Sequence, residues 1–220
     1  MKKSIKIILI IIFTLISLLL IISSYFGINR YLTLHIHKPE KYEKIYDKLP
    51  FIKDNESIII INSNIKNIQK IKPMWNSLLD QTIKAHNIII YLPYKETENL
   101  NNIPTFIKRK STILPKSTIY TEDYINSIIP TLLNEKNNDK IIIFLKDNIV
   151  YGKDFIEYLI EEHNKNKEKI IKLKNNNAIL LKPKFINCSI QLLSNCYINI
   201  NNLSDKIHII NYYENYNRIF

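Results

Sequence analysis

Glycine is almost missing from this chain: Gly27 and Gly152 are the only two in 220 residues. Loops that cradle phosphate need several glycines close together, because only a residue without a Cβ lets the backbone approach the ligand that closely. Neither G-x-G-x-x-G nor G-x-x-x-x-G-K can be assembled here, which excludes ordinary P-loop and dinucleotide-binding proteins. Cysteine is as scarce, with Cys188 and Cys196 alone. They form no disulfide framework, and without a C-x-x-C or a nearby His pair they form no zinc site. In an oxidising lumen the two could pair; as buried thiols they would be equally ordinary. Acidic residues are in deficit, 20 against 31 Lys and Arg, for a net charge of +11. That sign suits nucleic acid or acidic lipid. The lysines are scattered, however, with KRK at 108–110 as the one tight cluster, and heavy use of Lys, Asn and Ile beside so little Gly is what an AT-rich genome yields. Nucleic acid is therefore not an expected partner.

A long apolar run is present. From Ile7 to Ile22 the sequence IILIIIFTLISLLLII carries no charge, and Ser23 to Ile28 extend it to the roughly 20 residues that cross a bilayer. Lys2, Lys3 and Lys6 precede it without an acid, which keeps the N-terminus cytosolic and places the rest across the membrane. Arg30, His35, His37 and Lys38 follow on the far side. No A-x-A-like cleavage site follows the run, so an uncleaved anchor is expected over a signal peptide. The expected organisation is a cytosolic tip and transmembrane anchor over 1–28, a stem over 29–55 containing Pro39 and Pro50, and a lumenal or extracytoplasmic domain over 56–220. Three N-x-S/T sequons, at Asn55, Asn187 and Asn202, suit a lumen, but so Asn-rich a chain shows about that many by accident.

Within the domain, continuous apolar runs alternate with amphipathic ones. SIIII (57–61), NIIIYL (87–92) and IIIFL (141–145) have strand length, and Pro93 stops the second. A helix is expected from Pro73 through Asp80 and another around 122–134, interrupted by Pro130. A third is expected after Asp154 as cap, with Phe155, Ile156, Leu159 and Ile160 on one face. KIIKL (169–173) and AILL (178–181) read as strands, followed by a short helix near 185–193 and an ending around HII (208–210). Strands apolar on both faces, separated by helices, predict a largely parallel α/β sheet covered on both sides. Trp75 is expected in the core, and His163, near a helix end, is read as a cation complementing the helix dipole.

The third strand ends in a polar triplet, Lys146, Asp147 and Asn148, before Ile149, Val150 and Tyr151 resume the apolar pattern. Ligands of open α/β sheets sit just beyond such strand ends. Five stretches then occur in order: SLLDQT (77–82), IIIYLP (88–93), EDY (122–124) with IPTLL (129–133), IIIFLKDNIVY (141–151) and DFIEYLI (154–160). Together they resemble the family 2-type glycosyltransferases of the GT-A fold, over about residues 57–163. The resemblance implies a GT-A-like, Rossmann-like, mostly parallel sheet flanked by helices, following the single transmembrane helix. It also implies a nucleotide-sugar donor and a glycan or protein acceptor.

In that family the triplet is an acidic D-x-D, one Asp holding the ribose and another ligating Mn²⁺ or Mg²⁺, which neutralises the departing diphosphate. Here both outer acids are replaced. Hard cations want carboxylates, and Lys146 adds a like charge that repels a metal by a few kcal/mol at about 4 Å in a partly screened site, so no metal cofactor is expected. Lys146, Asp147, Asn148 and Asp123 of EDY are the expected nucleotide-sugar-binding residues. The Lys of the family's GPATKL segment is missing between EDY and IPTLL. The region corresponding to its catalytic base, 195–203, holds no acid, leaving Asp205 as the candidate base. Two functions remain open: a sugar transferase, or a non-catalytic relative that partners an active glycosyltransferase.

Overall fold

The computed structural model describes residues 2–25, 28–53, 56–97, 100–115, 131–132, 135–174, 177–185 and 207–210. Helix α1 (Lys2–Tyr25) carries the apolar run, and none of its 19-residue candidate span, Ile5–Ser23, is buried against the rest of the chain. Length and composition make this helix able to cross a membrane. Helices α2 (Ile28–Ile36) and α3 (Pro39–Lys48) follow.

Strand β1 (Ser57–Asn62) leads to α4 (Ile65–Ile68) and α5 (Lys72–Leu79), then β2 (Asn87–Leu92). Short helices α6 (Tyr94–Thr97) and α7 (Thr105–Lys108) precede β3 (Thr112–Pro115), and β4 (Ile141–Lys146) leads to α8 (Phe155–Lys165). Strands β5 (Ile170–Leu173), β6 (Ala178–Leu181) and β7 (Ile207–Ile210) complete one sheet of order β3-β2-β1-β4-β6-β5-β7. The first four in that order run parallel, and β6 is antiparallel to both β4 and β5. The mostly parallel sheet agrees with the sequence pattern.

Isoleucine runs make these strands because β-branched side chains fit a pleated surface buried on both faces. The period of two divides them. Ile59, Ile61, Ile141, Ile143 and Leu145 enter the main core, whereas Ile58, Ile60, Ile142 and Phe144 enter a second cluster on the opposite face.

The main core does not stop at residue 56. Leu34, Tyr42 and Tyr46, from the stretch expected as a stem, belong to it. The reason lies in α5, where every residue from Pro73 to Leu79 is buried. A helix apolar on all sides needs cover on all sides, and α2 and α3 pack on α5 to supply it. The Asn76 amide donates to the carbonyls of Leu34 (2.7 Å) and His37 (3.2 Å), satisfying acceptors that the end of α2 leaves open. Trp75 is fully buried in this core, as expected.

Two local expectations are corrected. Asp154 occupies the N-cap of α8, but its side chain makes no capping hydrogen bond. His163 is buried, and desolvation, assisted by Lys182, Lys184 and Lys167, lowers its pKa to about 4. It is thus neutral at pH 7 and supplies no charge to the helix dipole. The expected helices around 122–134 and 185–193 fall largely outside the described residues, as do both cysteines, all three sequons and Tyr-rich 212–220.

Candidate functional site at the ends of β1 and β4

In this sheet the chain order reverses between β1 and β4: β1 is followed outward by β2 and β3 on one side and has β4 on the other. Such a switch point opens a crevice at the carboxyl ends of the parallel strands, because the connections leave in opposite directions. Lys146, Asp147 and Asn148 stand on the β4 side of the switch point, and Ser63 to Asn67 on the β1 side, with Asn62 and Lys146 in direct register.

Asp147 joins the two. Its Oδ2 accepts the Ser63 hydroxyl at 2.7 Å and the Asn67 amide at 3.0 Å. Asp147 is only 8% exposed, yet neither donor is a cation, and Oδ1 takes no hydrogen bond from the described residues. Lys146 and Asn148 flank it, half-buried. The β1 side is itself fixed, since the Asn64 side chain accepts the Asn67 N–H and the Glu96 carboxylate of α6 accepts the Ile65 N–H at 2.7 Å. The first turn of α4 is thereby satisfied from within.

The triplet is held from behind by a second set of bonds. The Tyr151 hydroxyl donates to the carbonyls of Lys146 (3.0 Å) and Asn177 (3.2 Å), and the ring stacks on Phe155. Its backbone N–H donates to Ser77 Oγ, and Gln81 bridges three groups: its amide donates to the carbonyls of Ser77 and Gly152, both 2.7 Å, and its Oε1 accepts Ile156 N–H at 3.0 Å. Asp80 holds Arg30 at 2.7 Å, and Arg30 also points to the Tyr151 carbonyl. Ser77, Asp80 and Gln81 of SLLDQT thus lock the loop that presents Asp147. Another pair of matched stretches also meets: Tyr91 of IIIYLP and Thr131 of IPTLL share a buried hydroxyl hydrogen bond of 2.9 Å.

Asp123 and Asp205 lie outside the described residues, so of the five expected site residues the structure brings together Lys146, Asp147 and Asn148. Sequence reasoning missed Ser63 and Asn67. The available signal was their place just after β1, the neighbour that a switch point demands. Among the described residues no group of three or more His, Cys, Asp or Glu gathers as metal ligands would.

A cavity of about 380 Å³ opens at the other end of the sheet, by Asn87 and Thr112 at the starts of β2 and β3. Its cations are already matched. Lys110 pairs with Asp47 at 2.6 Å, Arg109 with Glu43 and Glu40, and Lys84 lies over the Phe51 ring while donating to the Asp47 carbonyl. It offers an anion little, and the chemistry of the resemblance lies at the opposite end.

No protein-family model and no curated protein matches the chain. Among solved structures it is similar to the 2-C-methyl-D-erythritol 4-phosphate cytidylyltransferase of Francisella tularensis, with 13% identity, a TM-score of 0.51, and coverage of 76% of this chain and 94% of that one. It is also similar to the glycosyltransferase GlyE of Streptococcus pneumoniae, with 11% identity, a TM-score of 0.49, and coverage of 71% and 45%. The 4-diphosphocytidyl-2C-methyl-D-erythritol synthase of Anaerococcus prevotii gives 9%, 0.46, 76% and 93%. At such identities a likeness speaks for the fold alone, and the two lower scores add no weight to it. The sheet order and the first likeness support a GT-A-like, mostly parallel α/β fold.

Proposed function

We propose that this protein is a membrane-anchored glycosyltransferase-like protein that binds a nucleoside-diphosphate sugar in the crevice between β1 and β4, and binds it without a resident divalent cation. One observation supports the reading: a nearly buried Asp147 at the switch point whose Oδ2 is held by two neutral donors while Oδ1 takes no hydrogen bond from the described residues. A carboxylate so placed accepts a ribose hydroxyl. Lys146 supplies, as a point charge for the diphosphate, what a metal supplies elsewhere in the family, and Asn148 contributes an amide.

The residues do not fit Mn²⁺ or Mg²⁺. Such ions take several oxygen ligands, preferably carboxylates; among the described residues the site offers the one carboxylate of Asp147, and an ammonium adjoins it in sequence. Asp123 is retained as a nucleotide contact and Asp205 as the base, both on the resemblance. In transfer, the acceptor hydroxyl oxygen would bond to the anomeric carbon, its proton would pass to Asp205, and the bond to the diphosphate would break, releasing nucleoside diphosphate. α1 would hold the domain at the membrane, with its N-terminus cytosolic and the domain lumenal or extracytoplasmic.

The same donor set favours a second reading, a binding module that partners an active transferase, because cation-free diphosphate release loses a large source of charge stabilisation. The test is titration of the full chain in detergent micelles with uridine, guanosine and cytidine diphosphate sugars, in EDTA and in Mn²⁺. Saturable binding in EDTA, unchanged by Mn²⁺ and weakened at least about tenfold by Asp147→Ala, is the expected result. Binding that requires Mn²⁺, or no binding of any donor, overturns the proposal. Release of nucleoside diphosphate with an acceptor present selects the transferase; binding without release selects the partner.

A further inference from the structure

Helix α2 is amphipathic in the unusual sense. Its inward side, Leu34 with Tyr31, packs into the core, which is ordinary. Its outward side carries Ile28, Leu32 and Ile36, exposed by 44%, 46% and 71%. The spacing of four puts all three along one helix face. Scattered exposed leucines are common and mean little. A row of them on a helix already packed by its other side is different, because nothing in the packing of α2 requires it.

Position supplies the missing partner. Among the described residues, most large exposed apolar side chains lie in α1, immediately before α2, and α1 contacts α2. α3 then carries a second outward row. Lys41, Lys44 and Lys48 share one face at spacings of three and four, Lys38 precedes them, and all four are exposed. Lys38, Lys44 and Lys48 make no ion pair with the described residues, whereas the acids of the same helix, Glu40, Glu43 and Asp47, are turned to Arg109 and Lys110. Both α2 and α3 pack on α5, so both rows face away from the core. An apolar row followed by a lysine row, beside a helix able to cross a bilayer, has the make-up of a segment lying in a membrane interface: apolar side chains among the acyl chains and ammonium groups at anionic headgroups.

We infer that α2 and α3 form an interfacial collar that seats the domain on an anionic bilayer surface, with Ile28, Leu32 and Ile36 inserted. The inference rests on the reading of α1 as a membrane anchor. It adds that the domain lies against the bilayer instead of standing off on a stem, held by Asn76 and Arg30 from within.

The test places an indole at the row and another in the anchor, Leu32→Trp and Leu15→Trp, each in the full chain reconstituted in vesicles of brominated phosphatidylcholine, with and without phosphatidylglycerol. The parent chain, whose Trp75 is fully buried, is the baseline. Quenching by brominated lipid is expected for both variants and not for the parent, with deeper quenching of Leu32→Trp when phosphatidylglycerol is present. Lys41→Glu combined with Lys44→Glu should remove that lipid dependence. Quenching of Leu15→Trp without Leu32→Trp overturns the collar and leaves the anchor standing; quenching of neither overturns both. A Leu32→Trp indole shielded from acrylamide yet untouched by brominated lipid also overturns the inference, and points to a second copy on this face.

Discussion

Two junctions hold the loop that follows β4, and they are built to opposite specifications. At the rear, Gln81 uses its amide N–H groups and its carbonyl on Ser77, Gly152 and Ile156, and Ser77 Oγ takes the Tyr151 N–H. At the front, Asp147 gives Oδ2 to Ser63 and Asn67 and keeps Oδ1 in reserve. The rear junction satisfies its hydrogen bonds from within, as a brace does. The front one buries a charge with only neutral partners among the described residues, which costs solvation that a better-paired group would recover. A carboxylate kept on those terms at a switch point is what the proposed donor site calls for.

The sharpest way to break this contrast is at Gln81. Gln81→Leu leaves the Ile156 N–H buried without its acceptor and takes one of two donors from the Gly152 carbonyl, which keeps the Phe155 N–H at 3.3 Å; an unsatisfied buried group costs roughly 1–3 kcal/mol and each lost hydrogen bond about 1 kcal/mol, so a loss of about 3 kcal/mol in unfolding free energy is expected. Urea unfolding of the full chain in micelles measures it. An unchanged midpoint would mean that the rear junction is not a brace.

The rear junction can also be loosened without substitution. Gln81 secures the first turn of α8, and His163 lies buried on the same helix with its pKa lowered to about 4. Between about 4 and the unfolded value near 6.5 the unfolded chain binds the extra proton. Stability from the neutral imidazole is therefore complete above pH 6.5 and lost as pH falls towards and through 4. The loss should be on the order of 2 kcal/mol once solvent screening is allowed for. His163→Gln should flatten that limb of the stability–pH curve, and a limb that persists unchanged in the variant would assign it to other groups.

How much of this was legible in the sequence depended on what kind of signal each part carries. β1, β2 and β4 announce themselves as apolar runs because both faces of each are buried. β3 does not: TILP is an edge strand, half-exposed and closed by a proline, so its pattern resembles the connection in which it lies. The stretch 29–55 reads as a stem because of Pro39, Pro50 and the many charges of α3. The warning lay elsewhere, in KPMWNSLL, whose apolar positions are too broadly spread for a helix with one dry face. At the site, Asp147 could be found as the acid at a strand end. Ser63 and Asn67 had only their place just after β1 to mark them, since neutral side chains there resemble those of any turn or short helix until the topology places β1 beside β4.

The smallest expected effect on stability sharpens the contrast most. In Asp147→Asn the side-chain carbonyl can still accept from Ser63 and Asn67, and among the described residues no cation pairs with the lost charge, so unfolding should change by only about 1 kcal/mol. Nucleotide-sugar affinity in EDTA should nevertheless fall about tenfold, because a ribose hydroxyl bonds a carboxylate more strongly than an amide. Gln81→Leu should do the reverse, lowering stability more while leaving affinity at low temperature within about threefold of the parent. If instead both variants lose stability and binding in proportion, Asp147 is a second brace, the reserve oxygen has no ligand, and the difference between the two junctions is one of degree.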